Sequence, residues 1–204
     1  MTGSARRLGR GFFERPSIQV APDLLGRLLV RRTPEGLRLV GRIVETEAYR
    51  EDDPASHSYR GRTPRTEVMF GPPGHLYVYF TYGMHFCMNV VTGRDGEGSA
   101  VLLRAAEPLE GLQEMAARRG TSDPRLLCSG PARLAQAFGV GRAHNGADLV
   151  DGSELAVLEG RPVPPSSVER TTRVGVRVGL DRRWRFLVRD DPYVSRGRPA
   201  APPR

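Results

Sequence analysis

The chain has 204 residues, 39% of them hydrophobic, which suffices for one domain whose core buries about 70% of the unfolded surface. All 31 basic residues are arginine, and the formal charge of +8 favours polyanionic partners such as nucleic acid over neutral metabolites. Two widely separated cysteines exclude a disulfide framework and a cysteine-based zinc site. Because neither a membrane span nor a signal-peptide core is apparent, we expect a cytoplasmic protein with no membrane partner.

Hydrophobic periodicity predicts a strand-rich single domain over residues 1–204, with flexible ends at 1–10 and 196–204. Asp23 is expected in the first turn of a helix over 21–29. Arg104 is expected to end a short strand over 100–103, and Ser129 to cap a helix over 131–138. The other predicted elements are a hairpin of 28–30 and 37–49, a second hairpin of 76–81 and 84–92, a helix over 109–119, and strands over 155–158, 171–178 and 184–190.

Two carboxylates lie on an otherwise apolar face of the long strand over 37–49. Alternate residues of a strand share a face, which places Glu45 and Glu47 beside Ile43 and Tyr49. Desolvation can tune such a carboxylate into a general base or an oxocarbenium stabiliser, and Glu47 is our candidate. Alternatively, either glutamate forms a structural ion pair with an arginine.

Tyrosines are concentrated in the stretch 41–89, where five of the six occur together with His57 and His85. Stacking of a base on an aromatic ring is worth roughly 1–3 kcal/mol, so two or three rings could offset the cost of extracting a base from a duplex. The alternative is a tyrosine-rich sheet that packs its own core. Tyr82 is different because the tip of the predicted hairpin has no core to face.

Several arginines are candidates for phosphate contacts. Arg60, Arg62 and Arg65 follow His57 in a polar loop, and Arg133 lies near the start of the predicted helix over 131–138. The alternative is a solvated basic loop.

Two other functional classes share these features. One is a catalytically silent nucleic-acid-binding domain, and the other is a metal-dependent nuclease. The acidic and histidine residues lack metal-ligand spacing and fall on separate elements, so we expect no metal and no cofactor.

Five sequence blocks carry a resemblance to a known family. They are VETEAYREDDPASHS, LYVYFTYGMHFCMNV, VLLRAAEPLEG, LCSGPARL and RVGV. In these blocks, which run in family order from about residue 24 to 195, the chain resembles the alkyladenine (3-methyladenine) DNA glycosylases. The resemblance implies a single α+β domain with a curved antiparallel β-sheet, surrounding helices and a protruding β-hairpin. It also implies a monomer that flips damaged purines out of double-stranded DNA and hydrolyses the N-glycosidic bond in base excision repair.

The resemblance also assigns roles to individual residues. It implies that Glu47 is the general base and that Arg104 and the Val174 carbonyl hold the attacking water. Tyr49, His57 and Tyr79 match the walls of the base pocket, and Asn89 matches the residue that crowds the exocyclic amine of guanine. Tyr82 matches the wedge that fills the gap in the base stack. The absence of lysine predicts a monofunctional enzyme, since a bifunctional glycosylase uses an amine, commonly that of lysine.

Overall fold

An antiparallel β-sheet of eight strands forms the centre of the protein in the computed structural model, which describes residues 5–81 and 83–200. With its helices it makes a single α+β domain. The strands are β1 (Leu28–Arg32), β2 (Arg38–Tyr49), β3 (Leu76–Thr81), β4 (His85–Val91), β5 (Ala100–Glu110), β6 (Leu155–Leu158), β7 (Val168–Thr171) and β8 (Arg185–Val188). The helices are α1 (Arg10–Phe13), α2 (Ser17–Asp23), α3 (Leu112–Arg119), α4 (Pro124–Leu127) and α5 (Pro131–Ala137).

Strand β2 organises the sheet because three other strands pair with it. The sheet order is β3-β4-β5-β2-β1-β6, and β8 pairs with the second half of β2 and with β7. Register shifts in the β2–β5 pairing mark bulges, where a strand bends, as expected for a curved sheet. Between β5 and β8, the segment from Glu45 to Glu47 has no exposed surface.

The main hydrophobic core lies where α2 and α5 pack against the sheet and α3 packs against α5. Its largest members include Phe13 and Phe138, both fully buried. Gly41 on β2 allows close packing, because a Cβ atom there would lie 3.1 Å from both the Phe138 ring and the Ala106 side chain. Phe138, which directly follows helix α5, is thereby packed against the strand that carries both glutamates.

Both predicted hairpins are confirmed, as β1–β2 and β3–β4. The predicted helix over 21–29 is wrong beyond Asp23. Helix α2 ends at Asp23, which therefore lies in the last turn rather than the first. Gly26 adopts a left-handed conformation with φ of +81°, and β1 then begins at Leu28. Pairing of β1 with both β2 and β6 outweighs the local helical pattern.

Three other boundaries differ from the prediction. Strand β5 continues past Arg104 to Glu110, so α3 begins three residues later than expected. Ser129 does not cap α5; its hydroxyl accepts a hydrogen bond from Arg133, and Gly130 holds the cap position. The predicted strand over 171–178 is wrong beyond Thr171, where β7 ends and a loop follows. That loop lines the site described below.

The described parts of both chain ends make contacts with the domain. The Leu8 N–H donates to the Val157 carbonyl, and Ser195 is buried. Flexibility of residues 1–10 and 196–204 stays a prediction. Among residues 5–81 and 83–200, no helix is long and apolar enough to cross a membrane.

Candidate active site

A cavity of about 500 Å³ opens between strand β2, the β3–β4 hairpin and two loops. Its volume is within the range of about 300–1,000 Å³ that is typical of small-molecule sites. The lining residues on strands are Tyr49, Tyr77, Tyr79, Thr81, Cys87, Asn89, Leu102 and Arg104. Those outside strands are Pro54, Ala55, Ser56, His57, Met69, Pro131, Val174, Gly175, Val176, Arg177 and Val178.

Glu47 lies directly behind the wall of this cavity and is completely buried. The Tyr49 hydroxyl donates to its Oε2 and the Val174 N–H donates to its Oε1, each at 2.8 Å. Arg104 Nη1 lies 3.3 Å from Oε2. All three partners line the cavity, so the groups that contact the Glu47 carboxylate also form the wall between it and the cavity.

Glu45 is the partner that holds Arg104 from the other side. Its Oε1 accepts from the Nε atoms of both Arg104 and Arg185, each at 2.7 Å. Burial raises the pKa of Glu45, but the charges of Arg104 and Arg185 outweigh it and the net pKa lies below its ordinary value. Burial likewise opposes ionisation of Arg104, yet Glu47 and Glu45 raise its pKa. Glu45 therefore matches the structural ion pair that the sequence left as an alternative.

The side walls of the cavity are aromatic. Tyr77 and Tyr79 stack with ring centroids 5.7 Å apart, and His57 meets Tyr79 edge-on at 4.5 Å. The Nδ1 atom of His57 shares a 3.0 Å hydrogen bond with the Tyr77 hydroxyl. Burial raises the pKa of both tyrosines. Although His57 is exposed as a residue, desolvation of its ring and the charge of Arg65 lower its pKa, which favours the uncharged imidazole.

Asn89 lies on β4 with little exposure and lines the cavity. Its side-chain nitrogen donates to the Tyr77 carbonyl at 3.2 Å, which holds the amide against the neighbouring strand. The structure thus brings Asn89 to the same cavity as the four residues Tyr49, His57, Tyr79 and Arg104.

Arg173 and Asp53 form a buried ion pair that the sequence analysis missed. Arg173 is fully buried and donates to both carboxylate oxygens of Asp53. Its guanidinium lies 4.7 Å from the Tyr49 ring centroid and 5.4 Å from that of Trp184. The arginine therefore supports the Tyr49 wall from behind. No local pattern signals this pair, because its members are 120 residues apart.

The predicted phosphate contacts fall into two groups. Arg62 donates to Glu67 and to the Phe70 carbonyl, each at 3.1 Å, and Arg133 donates to Ser129. Within residues 5–81 and 83–200, the exposed Arg60 and Arg65 form no ion pair with a carboxylate. Contact of any of the four with phosphate stays a prediction.

Tyr82 lies outside the described residues, so its predicted role as a wedge stays a prediction. Nearby residues of the same hairpin are exposed, Phe80 at 42% and Met84 at 70%. In the same described ranges, no group of three or more histidine, cysteine, aspartate and glutamate side chains could hold a metal ion.

Known proteins match this chain over nearly its whole length. The family profile described as "Methylpurine-DNA glycosylase (MPG)" matches residues 11–192. Three similar curated proteins are each named "Putative 3-methyladenine DNA glycosylase". The protein from Carboxydothermus hydrogenoformans is 50% identical over 93% of this chain and 98% of its own length. Those from Streptomyces avermitilis and Chlorobaculum tepidum are 52% and 46% identical over 97% and 98% of this chain, and over 94% and 95% of their own lengths.

These relatives, an α+β domain of this kind and a buried glutamate behind an aromatic cavity define a class of enzyme, the DNA glycosylases. Within that class the chain belongs to the methylpurine-DNA glycosylase family. DNA is therefore its substrate, and its activity belongs to base excision repair of alkylated bases. Because the chain belongs to this family, it is a glycosylase rather than a catalytically silent DNA-binding domain or a metal-dependent nuclease.

Proposed function

We propose that the enzyme flips alkylated or deaminated purines out of double-stranded DNA and hydrolyses their N-glycosidic bonds as a monofunctional monomer. The observation that carries the proposal is the position of Glu47, which is bound by three groups that line the aromatic cavity. The names of the curated relatives support 3-methyladenine as one of the released bases.

In the proposed reaction, Glu47 takes a proton from a water molecule that attacks C1′ of the flipped nucleotide. The glycosidic bond breaks through an oxocarbenium-like state, as in other glycoside hydrolyses, and the base departs with its bonding electrons. Arg104 and the Val174 carbonyl hold the water. The Val174 N–H contact supports this role, because it holds the backbone nitrogen of the same residue against the carboxylate.

The leaving group contributes part of the selectivity. An alkylated purine is cationic or electron-poor, so it leaves readily and is attracted to the electron-rich faces of aromatic rings. The stacked pair of Tyr77 and Tyr79 and the ring of His57 supply such surfaces. Asn89, whose amide donates to the Tyr77 carbonyl, would crowd a base that carries an exocyclic amine at the position found in guanine.

The test is base release from a panel of duplexes, each with one lesion: 3-methyladenine, 7-methylguanine, hypoxanthine or ethenoadenine. We expect the wild type to release at least one of these bases. The Glu47→Gln protein should bind the same duplex and release none, because the amide cannot accept the water proton. Glu114→Gln is a matched control, since Glu114 lies on α3 and pairs with Arg118. Single-turnover release by Glu47→Gln at the wild-type rate would refute the role of Glu47.

A further inference from the structure

The last described residues of the chain, Ser195 to Ala200, cross behind the candidate active site; we call them the C-terminal strap. Ser195 is 8% exposed, and its N–H and Oγ donate to the two carboxylate oxygens of Glu45 at 2.7 and 2.9 Å. The same Oγ accepts a 3.4 Å hydrogen bond from Arg104 Nη2. Ser195 therefore contacts both members of the ion pair that holds Arg104 in place.

The other end of the strap binds the segment that carries Val174. The Ala200 N–H donates to the Arg173 carbonyl at 2.8 Å, and the Thr172 hydroxyl donates to the Ala200 carbonyl at 2.7 Å. Val174 and Pro199 form an isolated antiparallel bridge. These bonds hold the peptide whose N–H donates to Glu47.

Gly197 lies between these two attachment points and passes close to both groups. A Cβ atom at this position would lie 2.7 Å from Cγ1 of Val174 and 3.4 Å from Nη2 of Arg104. The first distance is too short for an unstrained contact, so a larger residue would displace Val174 or the strap. The strap thus touches both cavity-lining groups predicted to hold the water.

We propose that the C-terminal strap is a positioning element for base excision, with Ser195 as a positioning residue. Ser195 acts through Glu45 on Arg104, and the Gly197–Ala200 part of the strap acts through residues 172–174 on Val174. A displacement of about 1 Å in a catalytic group can cost about 100-fold in rate. Neither Ser195 nor Gly197 lines the cavity, so changes at these two positions should leave the affinity for DNA unchanged. This inference rests on the proposed function.

The test compares full-length Ser195→Ala, Ser195→Thr and Gly197→Ala with the wild type. Ser153→Ala is the matched control because it makes the same change at an exposed position. Three quantities are measured well below the lowest unfolding midpoint: the single-turnover release rate at saturating enzyme, the affinity for the damaged duplex, and the unfolding midpoint. We expect Ser195→Ala to lower the rate about tenfold with unchanged affinity, and Ser195→Thr, which keeps the hydroxyl, to restore it.

Gly197→Ala should lower the release rate at unchanged affinity as well, since its extra methyl group meets Val174. A wild-type rate in Ser195→Ala, or a parallel loss of rate and affinity, would overturn the inference. A lowered rate in Ser195→Thr equal to that of Ser195→Ala would also overturn it. If the wild type itself releases no base from any duplex, the proposed function fails. If the wild type is active and Ser195→Ala releases base at the same rate, only the inference about the strap fails.

Discussion

At the scale of single residues, Glu45 and Glu47 are identical side chains on one strand that make different contacts. Both are fully buried, which is costly for a charge unless it is paired. Within residues 5–81 and 83–200, the hydrogen-bond partners of Glu45 are Arg104, Arg185 and Ser195. Removing one partner of a buried charge pair typically costs about 3–5 kcal/mol. Glu47 instead contacts three cavity-lining groups, which suits a carboxylate that must meet a substrate.

A residue-scale prediction concerns the amide of Asn89. Replacement of Asn89 by Ser removes bulk from the cavity wall and should allow guanine to enter. We expect release of guanine relative to hypoxanthine to rise by about tenfold, the effect of a small steric change in a pocket. The measurement is the ratio of the two single-turnover rates on matched duplexes. An unchanged ratio would remove Asn89 from the set of specificity residues.

At the scale of elements, loops and hairpins surround a rigid floor. Strand β2 is held by β5 and β8 at the level of Glu47, so the carboxylate sits on a part of the sheet with neighbours on both sides. The aromatic walls come from the β3–β4 hairpin and the loop after β2. A hairpin with an exposed tip can approach DNA while the floor stays in place.

The hairpin prediction concerns Tyr82. Tyr82→Ala should weaken binding of the flipped state by about 1–3 kcal/mol, the worth of one stacked aromatic ring. The chemical step should change little once the base is out, so saturating enzyme should largely restore the rate. Leu37→Ala is the control, because Leu37 is an exposed apolar residue that lies between β1 and β2, outside the hairpin of β3 and β4. Equal excision by Tyr82→Ala and wild type at subsaturating enzyme would contradict a wedge.

The loop prediction concerns Arg65 and Arg62. Arg65→Ala should lower the slope of log affinity against log salt by about 0.9, the value for one phosphate contact. Arg62→Ala should lower it less, because Glu67 and the Phe70 carbonyl already occupy its guanidinium. Titrations of a damaged duplex at several salt concentrations measure both slopes. Identical slopes for the two variants would contradict the prediction that Arg65 contributes more to phosphate binding than Arg62.

At the scale of the whole molecule, the chain has 31 arginines and no lysine. Many of the arginines pair with carboxylates inside the domain, as Arg173 does with Asp53, so the number of arginines overstates how many are free to meet DNA. The absence of lysine bears on chemistry rather than on charge, since it removes every side-chain amine.

The corresponding prediction is that no Schiff base forms during the reaction. Borohydride added during turnover should trap no covalent protein–DNA adduct, and alkali treatment should reveal intact abasic sites. The amino terminus is the one remaining amine. A trapped adduct on an active duplex would show a bifunctional enzyme and contradict the prediction.

Sequence patterns predicted the two hairpins and the candidate carboxylate pair because these depend on neighbours a few residues apart. Periodicity placed Glu45 and Glu47 on one face, and five blocks of residues carried the family resemblance. The end of α2 at Asp23 was missed, because pairing of β1 with two strands overrides local helix propensity.

The sequence by itself determined the class of protein, the single α+β domain and the residues whose side chains are candidates for catalysis or binding. Only the tertiary structure decided which carboxylate is structural, since Glu45 meets Arg185 and Ser195 across 140 and 150 residues. It likewise paired Asp53 with Arg173 and brought the C-terminal strap behind Val174. The physical reason is that a buried charge needs a partner, which can be far away in the sequence. Local sequence patterns do not indicate which distant residue that partner is.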